Sequence, residues 1–251
     1  MAPWPVFVGA GVVLGALTGL FGVGGSSMAT PVLSLLGVPG LMAVASPLAA
    51  TLPSAAVAAV PYVRTRKARP RPAAWTVLGA VPATVAGALL SGSVGGGVLL
   101  VVSGLVLVIV GVQVLRPVSA QSVAAGVTRR RDRPKLVLAS AAVGLLTGIL
   151  ANGGGFLLVP VYLVLFGLSM TEAAGTSLLV IVVLTIPTLA THWALGHIDW
   201  SVAAALALGS LPSSALASRF AQRLDSTTLR RTFGWFLICC GMVFTLYRAV
   251  Q

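Results

Sequence analysis

Charged residues are scarce in this sequence, and acidic ones are scarcest. Only 8% of its 251 residues are charged, with 4 acidic side chains against 16 lysines and arginines. A soluble domain carries about 25% charged residues. Because 57% of the residues are hydrophobic, the composition excludes an ordinary soluble domain and predicts an all-α, polytopic membrane protein. A net charge of +12 would indicate nucleic-acid binding in a soluble protein. Here the basic residues cluster in three loops between apolar runs, so no nucleic-acid partner is expected.

Cysteine is almost absent. Cys239 and Cys240 are adjacent within an apolar run, so they cannot join distant segments, and we interpret them as packing residues. The first residues include no basic stretch before the apolar run and no obvious cleavage site, so the first apolar segment is expected to be retained rather than removed as a signal peptide.

Glycine is abundant and is concentrated in two related segments. The stretch at 15–31, GALTGLFGVGGSSMATP, is apolar at both ends, but its centre is poor in helix-forming residues. Each glycine costs roughly 1 kcal/mol relative to alanine inside a helix. A similar stretch, GLLTGILANGGGFLLVP, occurs 129 positions later at 144–160. Two broken apolar segments in corresponding halves are the best sequence indication of a secondary transporter's binding site.

The remaining sequence divides into two membrane repeats, 1–130 and 131–251. In each repeat, three apolar spans follow the broken segment. Pro82, Gly104 and Gly111 recur 130 positions later as Pro212, Gly234 and Gly241, which supports the division. The predicted spans are 41–63, 73–90, 98–115, 171–191, 201–218 and 232–247.

The basic residues predict the orientation of the repeats. Loops at 64–71, 116–135 and 219–231 hold 15 of the 16 lysines and arginines, so all three are expected in the cytoplasm. The loop near 194–201, which corresponds to 64–71, has neither residue and is expected outside. Equivalent loops therefore lie on opposite sides, and the repeats are predicted to be inverted.

This orientation constrains the broken segments. The chain between the second and third basic loops must cross the membrane an even number of times, and two spans already do so. Each arm of the segment at 136–168 has about 15 residues, fewer than the ~20 that a full span needs. We therefore expect re-entrant or short-helix hairpins, which enter from opposite faces and meet near the midplane.

The two glycine tips are candidates for an anion site. New helical arms are expected to begin near Ser26 and Gly155, and helix N-termini offer unpaired N–H groups and partial positive charge. Neutral donors could complete the site, because no lysine or arginine lies inside a predicted span. The candidate residues are Thr18, Gly24, Gly25, Ser26, Ser27, Thr147, Asn152, Gly153, Gly154 and Gly155. The alternative reading is close helix packing, which we favour for Gly15, Gly19, Gly144 and Gly148.

The two glycine-rich motifs resemble those of the TauE/SafE family of sulfite and organosulfonate exporters. The likeness extends to the following spans, with Ser-Pro-Leu at 46–48 and Thr-Ser-Leu at 176–178, and it covers essentially the full chain. It implies transport of a sulfur-containing anion such as sulfite, a sulfonate or sulfoacetate, and it adds Thr176 and Ser177 to the candidate site. The sequence departs from the usual pattern at Ser26 and Pro47.

Other polar residues have simpler interpretations. Ser169 and Glu172 form an S-x-x-E pattern that predicts a capping box, with proton coupling as the alternative role for Glu172. His192, His197 and Asp199 lie near one loop, but their spacing is weak evidence for a metal site. No metal, other cofactor or catalytic residue is expected.

The sequence thus predicts a secondary transporter, most simply an exporter in a bacterial inner membrane, that works by alternating access. An anion channel, or an uptake permease for another oxyanion or a carboxylate, is the alternative; an intramembrane enzyme or a scaffold is less consistent with the residues. The expected partners are the small anion, the lipid bilayer, a coupling proton or sodium ion, and a second copy of the chain in a homodimer.

Overall fold

The described part of the chain is helical. The computed structural model describes residues 3–91, 96–116, 137–138, 140–145, 155–164 and 166–249, and these contain no β-strand. The prediction of an all-α protein is therefore confirmed. The helices are α1 (Trp4–Phe21), α2 (Ser26–Leu35), α3 (Gly40–Arg64), α4 (Pro70–Ser91), α5 (Gly96–Leu115), α6 (Gly155–Val164), α7 (Met170–Ala194), α8 (Trp200–Ala221) and α9 (Ser226–Ala249). Residues 137–138 and 140–145 are also helical.

The helix bounds repeat along the chain. Adding 130 to the bounds of α3, at 40 and 64, gives 170 and 194, which are the bounds of α7. The same shift takes α4, at 70–91, onto α8, at 200–221. A shift of 129 takes α2, at 26–35, onto α6, at 155–164. These three pairs of helices therefore have matching lengths.

Four of the described helices are long and apolar enough to cross a membrane, judged by length and composition: Trp4–Phe21, Met42–Arg64, Met170–Ala194 and Trp200–Ala221. Large apolar side chains point away from the protein on their outer faces; Val13, Leu208 and Leu216 are each more than half exposed. Hydrocarbon, rather than water, is the favourable surrounding for such faces. The chain is a multi-pass membrane protein.

The arms of the first broken segment differ from the expected 15 residues each. The first arm, α1, has 18 residues and the second, α2, has 10. The first arm ends at Phe21 because Gly22 adopts a left-handed conformation, with φ of 68°, and its N–H donates to the Thr18 carbonyl at 2.9 Å. This is a common helix ending that glycine favours.

The third basic loop is shorter than predicted. We expected the last span to begin at Thr232, whereas α9 begins at Ser226. Asp225 explains the earlier start, because its Oδ2 accepts hydrogen bonds from the backbone N–H groups of Thr227 and Thr228 at 3.0 and 3.3 Å. Such side-chain acceptors satisfy the first N–H groups of a helix.

Helices α3 and α7 run antiparallel, as two equivalent hydrogen bonds show. The Arg69 N–H, beyond the end of α3, donates to Thr176 Oγ1 near the start of α7 at 3.0 Å. The Asp199 N–H, beyond the end of α7, donates to Ser46 Oγ near the start of α3, also at 3.0 Å. Both donors and acceptors are related by 130 positions (69 + 130 = 199; 46 + 130 = 176). The end of each helix therefore lies beside the start of its counterpart.

Glycines bring α1 close to α8. A Cβ built on Gly11, Gly15 or Gly19 would overlap the backbone of α8, near Leu206, Ser210 and Ser214 respectively. The two helices therefore run parallel, because the contacts advance together along both. The close-packing interpretation of Gly15 and Gly19 is confirmed, and Gly144 similarly faces the backbone of Ala80 on α4.

The first and third basic loops lie at one end of the molecule, and Arg116, the first residue of the second basic loop, lies beside the start of α9. Thr65, in the first loop, donates to Gln222 Oε1, at the end of α8, at 2.6 Å. Arg230, near the start of α9, donates to the carbonyl of Arg116 at 2.7 Å. The loop at 195–199 follows the opposite end of α7.

Candidate functional site

The candidate site is built around the start of α2. The chain leaves α1 at Phe21, turns through residues 22–25 and re-enters a helix at Ser26. The first hydrogen bond of the new helix runs from the Ala29 N–H to the Gly25 carbonyl, at 3.0 Å. In such a first turn, the preceding N–H groups have no partner within the helix. They carry a partial positive charge of about +0.5.

The start of α2 lies level with the middle of α3. An ideal Cβ built on Gly25 would be 3.3 Å from Thr18 Oγ1 on α1 and 3.7 Å from Thr51 Oγ1 on α3. Thr51 is the twelfth of the 25 residues of α3 (51 − 40 + 1 = 12). Helix α3 is long enough to cross a membrane, so the positive end of α2 lies well inside the protein.

Ser26 has an unusual environment for a hydroxyl group. It is only 3% exposed, and its Oγ has no hydrogen-bond partner among the described residues. A buried hydroxyl without a partner costs roughly 1–3 kcal/mol. Its position at a helix N-terminus, where the first N–H groups have no partner within the helix, favours a bound acceptor group. Ser27 follows Ser26 in the same first turn, and Gly24 precedes Gly25 in the buried turn.

The hydroxyl of Thr18 is already engaged. Thr18 is 1% exposed, and its Oγ1 donates to the carbonyl of Leu14, one turn earlier on α1, at 2.8 Å. Its single proton is thus committed to the helix, and Oγ1 lies 3.3 Å from the position that a Cβ on Gly25 would take. Thr18 therefore lies beside Gly25, but the hydrogen bond that its hydroxyl makes is a donation within α1.

Thr176 and Ser177 lie near the start of α7, at the end of the molecule that carries the basic loops. Thr176 Oγ1 donates to the Glu172 carbonyl at 2.6 Å while it accepts from the Arg69 N–H. Ser177 Oγ donates to the carbonyl of Gly22 and also lies 3.0 Å from the Ala174 carbonyl. Both hydroxyls therefore hold the two halves together at this end.

Only the end of the second glycine-rich segment lies within the described residues. Gly155 is the first residue of α6, where the second arm was predicted to begin. Thr147, Asn152, Gly153 and Gly154 lie outside the described residues.

Several buried hydroxyls near the site escaped the sequence analysis. Thr51 is 5% exposed, and Ser54, one turn further along α3, forms a 2.7 Å hydrogen bond with Ser210 on α8. Isolated hydroxyl residues on an apolar helix give no signal of their own, since many donate to the preceding turn. Pro47 and Pro53 flank Thr51 in the same helix. They indicate an irregular helix but do not indicate a binding site.

The start of α7 carries the predicted capping box. Ser169 Oγ accepts from the Glu172 N–H, and Glu172 Oε2 accepts from the Ser169 N–H at 3.1 Å. The other carboxylate oxygen of Glu172 accepts from Arg69 Nε at 3.0 Å. The capping interpretation of Glu172 is confirmed, and the ion pair adds a second link between the halves.

The polar loop at the opposite end holds no three-ligand cluster. His192 and His197 are joined through their Nδ1 atoms, 3.3 Å apart. Asp199 Oδ1 instead accepts from the N–H groups of Ser201 and Val202 at the start of α8. In the part of the chain that the structure describes, no group of three or more histidine, cysteine or acidic side chains could hold a metal ion.

The four helices long enough to span a membrane carry their charged side chains only at their ends. Arg64 is the last residue of α3, Glu172 is the third of α7, and Arg219 is close to the end of α8. A ligand at the middle of these helices would therefore meet dipoles and hydroxyls instead of ionised side chains.

Comparisons with known proteins are consistent with this arrangement. A protein of Xylella fastidiosa (strain 9a5c) described as a probable membrane transporter protein is 30% identical over 97% of this chain and 95% of its own. A protein of Bacillus subtilis (strain 168) with the same description is 23% identical over 92% of this chain and 96% of its own. No solved structure matches the chain. The model of the family described as "Sulfite exporter TauE/SafE" matches residues 7–244. The chain therefore belongs to the TauE/SafE sulfite exporter family and is a membrane transporter.

Proposed function

We propose that this transporter exports a small sulfur-containing anion, such as sulfite, a sulfonate or sulfoacetate, across a bacterial inner membrane. The anion binds between the starts of α2 and α6, and the protein exposes this site to one face at a time. The observation that carries the proposal is the buried Ser26 hydroxyl, which has no partner among the described residues and lies at a helix N-terminus.

The electrostatics favour an anion that binds reversibly. Two helix N-termini directed at one point stabilise negative charge without a buried cation. Hydrogen bonds to a charged group contribute roughly 1.5–3 kcal/mol each, enough for a few donors to retain a ligand. Since the arginines of the four span-length helices lie only near helix ends, the anion does not form an ion pair that would slow its release.

The antiparallel packing of α3 and α7 supports a transport cycle based on inverted repeats. Exchange of roles between two halves of opposite orientation is a general route to alternating access in secondary transporters. The end that carries the first and third basic loops then faces the cytoplasm, as the excess of lysine and arginine in cytoplasmic loops predicts. A channel or an uptake permease for another oxyanion or a carboxylate is the alternative.

The proposal is tested by measuring the binding of sulfite to the purified protein by isothermal titration. We expect Ser26→Ala to weaken sulfite binding about tenfold to a hundredfold, because one donor to a charged group is lost. Ser54→Ala is the matched control: Ser54 is buried on α3, but its hydroxyl is already paired with Ser210. Equal binding by wild type and Ser26→Ala would place the site elsewhere.

Transport by reconstituted vesicles separates the carrier from the channel. We expect sulfite flux to saturate with concentration and to respond to an imposed proton or sodium gradient. Flux that rises linearly with sulfite and ignores both gradients would favour the channel. Saturation with a carboxylate, but not with sulfite or a sulfonate, would favour the alternative permease.

A further inference from the structure

A small niche lies beside Gly25, where a side chain is missing. Its ideal Cβ position is 3.3 Å from Thr18 Oγ1, 3.5 Å from Leu14 Cβ and 3.7 Å from Thr51 Oγ1. Gly25 does not have a positive φ, unlike Gly22. The backbone at this position therefore does not require glycine, and the benefit of glycine here is the space that it leaves between two hydroxyl groups.

The two hydroxyls that border this niche differ in what they can donate. Thr18 Oγ1 spends its proton on the Leu14 carbonyl at 2.8 Å, and a hydroxyl has only one proton to give. Thr51 is 5% exposed, and its hydroxyl forms no hydrogen bond within the described part of the chain. An anion is stabilised by donors and repelled by lone pairs, so Thr51 is the hydroxyl of this pair that is available to it.

The second half has no counterpart to Thr51. The residue 130 positions later is Ile181, which is fully buried on α7. The hydroxyl at this position of α3 is therefore absent from the equivalent position of α7. An asymmetric set of donors suits an asymmetric ligand. A sulfonate is one, because it carries oxygens on one side of the sulfur and an organic group on the other.

We propose that Thr51 is a substrate-binding residue, which together with Ser26 donates hydrogen bonds to the oxygens of a sulfite or sulfonate group, and that Thr18 is a structural residue. This inference rests on the proposed function and names a residue of the same site. Ser26 reaches the anion from the start of α2, and Thr51 reaches it from the middle of α3. The niche at Gly25 lets the two approach without an intervening methyl group.

The test compares two threonines that border the same niche. Isothermal titration with sulfite and with methanesulfonate is carried out on wild type, Thr51→Val, Thr51→Ser and Thr18→Val, with thermal unfolding as a check of folding. Valine keeps the shape of threonine and removes only the hydroxyl. We expect Thr51→Val to weaken binding about tenfold or more, Thr51→Ser to stay within about threefold of wild type, and Thr18→Val to bind like wild type but unfold at a lower temperature.

Each outcome separates this inference from the proposal on which it rests. If Ser26→Ala weakens binding but Thr51→Val does not, the site at α2 stands and the role of Thr51 is refuted. Loss of affinity in Thr18→Val with no loss in Thr51→Val would reverse the assignment and refute it as well. If wild type binds neither sulfite nor methanesulfonate, or if Ser26→Ala and Thr51→Val both bind like wild type, the inference and the proposed site both fail. Should Thr51→Val fail to fold, Thr51→Ala is measured in its place against the same criteria.

Discussion

At the residue scale, two of the three buried glycines in the turn at 22–25, Gly22 and Gly25, have different roles. Gly22 has a φ of 68°, and a Cβ there would overlap the backbone of Ala174 on α7. Gly25 has no positive φ, and a Cβ would only press against Thr18 and Leu14. Gly22 is therefore required by the backbone and by packing, whereas Gly25 leaves a space that, under the proposed function, the ligand approaches.

Gly25→Val is expected to abolish sulfite transport while the protein remains in the membrane. The two added methyl groups of valine would occupy the niche between Thr18 and Thr51 and obstruct the first turn of α2. Gly9→Val on α1 is the matched control, because a Cβ at Gly9 meets no atom within 4 Å. The measurement is sulfite flux in reconstituted vesicles, normalised to the amount of protein. Normal flux in Gly25→Val would show that the ligand does not approach this turn.

Gly22→Ala is expected to lower the stability of the folded protein markedly. An L-residue in the left-handed region costs roughly 1–2 kcal/mol, and the overlap with Ala174 adds to this cost. Gly37→Ala measures the backbone cost alone, because Gly37 has a φ of 82° but open space around its Cβ position. Thermal unfolding in detergent should show a larger decrease for Gly22→Ala than for Gly37→Ala. Equal decreases would mean that the contact with α7 contributes nothing.

Sequence reasoning could locate Ser26 but not Thr51. Ser26 follows a run of glycines that interrupts an apolar segment, and both features are local. Thr51 becomes relevant only because α2 begins beside the middle of α3, and this approach depends on how the helices pack. The sequence also could not show that the Thr18 hydroxyl donates its proton to the Leu14 carbonyl, one turn earlier on α1.

At the scale of the helix, Glu172 shows that an acidic residue which caps a helix can be mistaken for a proton-coupling residue. A lone acidic residue in a membrane helix indicates proton coupling, but Glu172 is the third residue of α7, accepts from Ser169 and pairs with Arg69. Its contacts are those of a capping box at a helix end. A helix end explains an acid there without any transport role.

Glu172→Gln should therefore leave sulfite transport and its gradient dependence intact. Glutamine can still accept from the Ser169 N–H, and an exposed ion pair such as that with Arg69 contributes about 0–1 kcal/mol. Glu172→Ala, which also removes the cap, should cost about 1 kcal/mol in thermal unfolding. Transport by Glu172→Gln that no longer responds to a proton gradient, in a protein of normal stability, would assign the coupling role to Glu172.

Helix existence was easier to predict than helix ends. The start of α9 was predicted at Thr232 instead of Ser226, because basic residues after Asp225 resemble a loop in composition. The Asp225 side chain stabilises the first turn regardless of those charges. Conversely, the starts of α2 and α6 were evident because glycine marks them directly.

At the scale of the whole molecule, the halves exchange helices. Helix α8 of the second half packs along α1 of the first, and the Gly144 region of the second half packs on α4 of the first. Sequence periodicity predicted two repeats of matching length but not this exchange. Helices pair where their surfaces are complementary. Because the two repeats have similar sequences, a helix could pair either within its own half or with the other half.

Labelling of single cysteines tests the orientation of the whole chain. In a protein without Cys239 and Cys240, we expect cysteines at positions 66 and 223 to react only from the cytoplasmic side and one at position 196 only from outside. The reason is that the first two lie at the end that carries the basic loops, which positive-inside orientation places in the cytoplasm. Labelling of position 196 from the cytoplasmic side would overturn the proposed topology.

The parallel contact between α1 and α8 also has a consequence for biosynthesis. Helix α1 ends at residue 21 and α8 begins at residue 200, so 178 residues lie between them (200 − 21 − 1 = 178). At about 5–20 residues per second, the ribosome needs on the order of 10–40 s to supply the partner. During this time, the glycine-lined face of α1 has no protein surface to cover it. The membrane, or a helper within it, must keep that face free until the second half arrives.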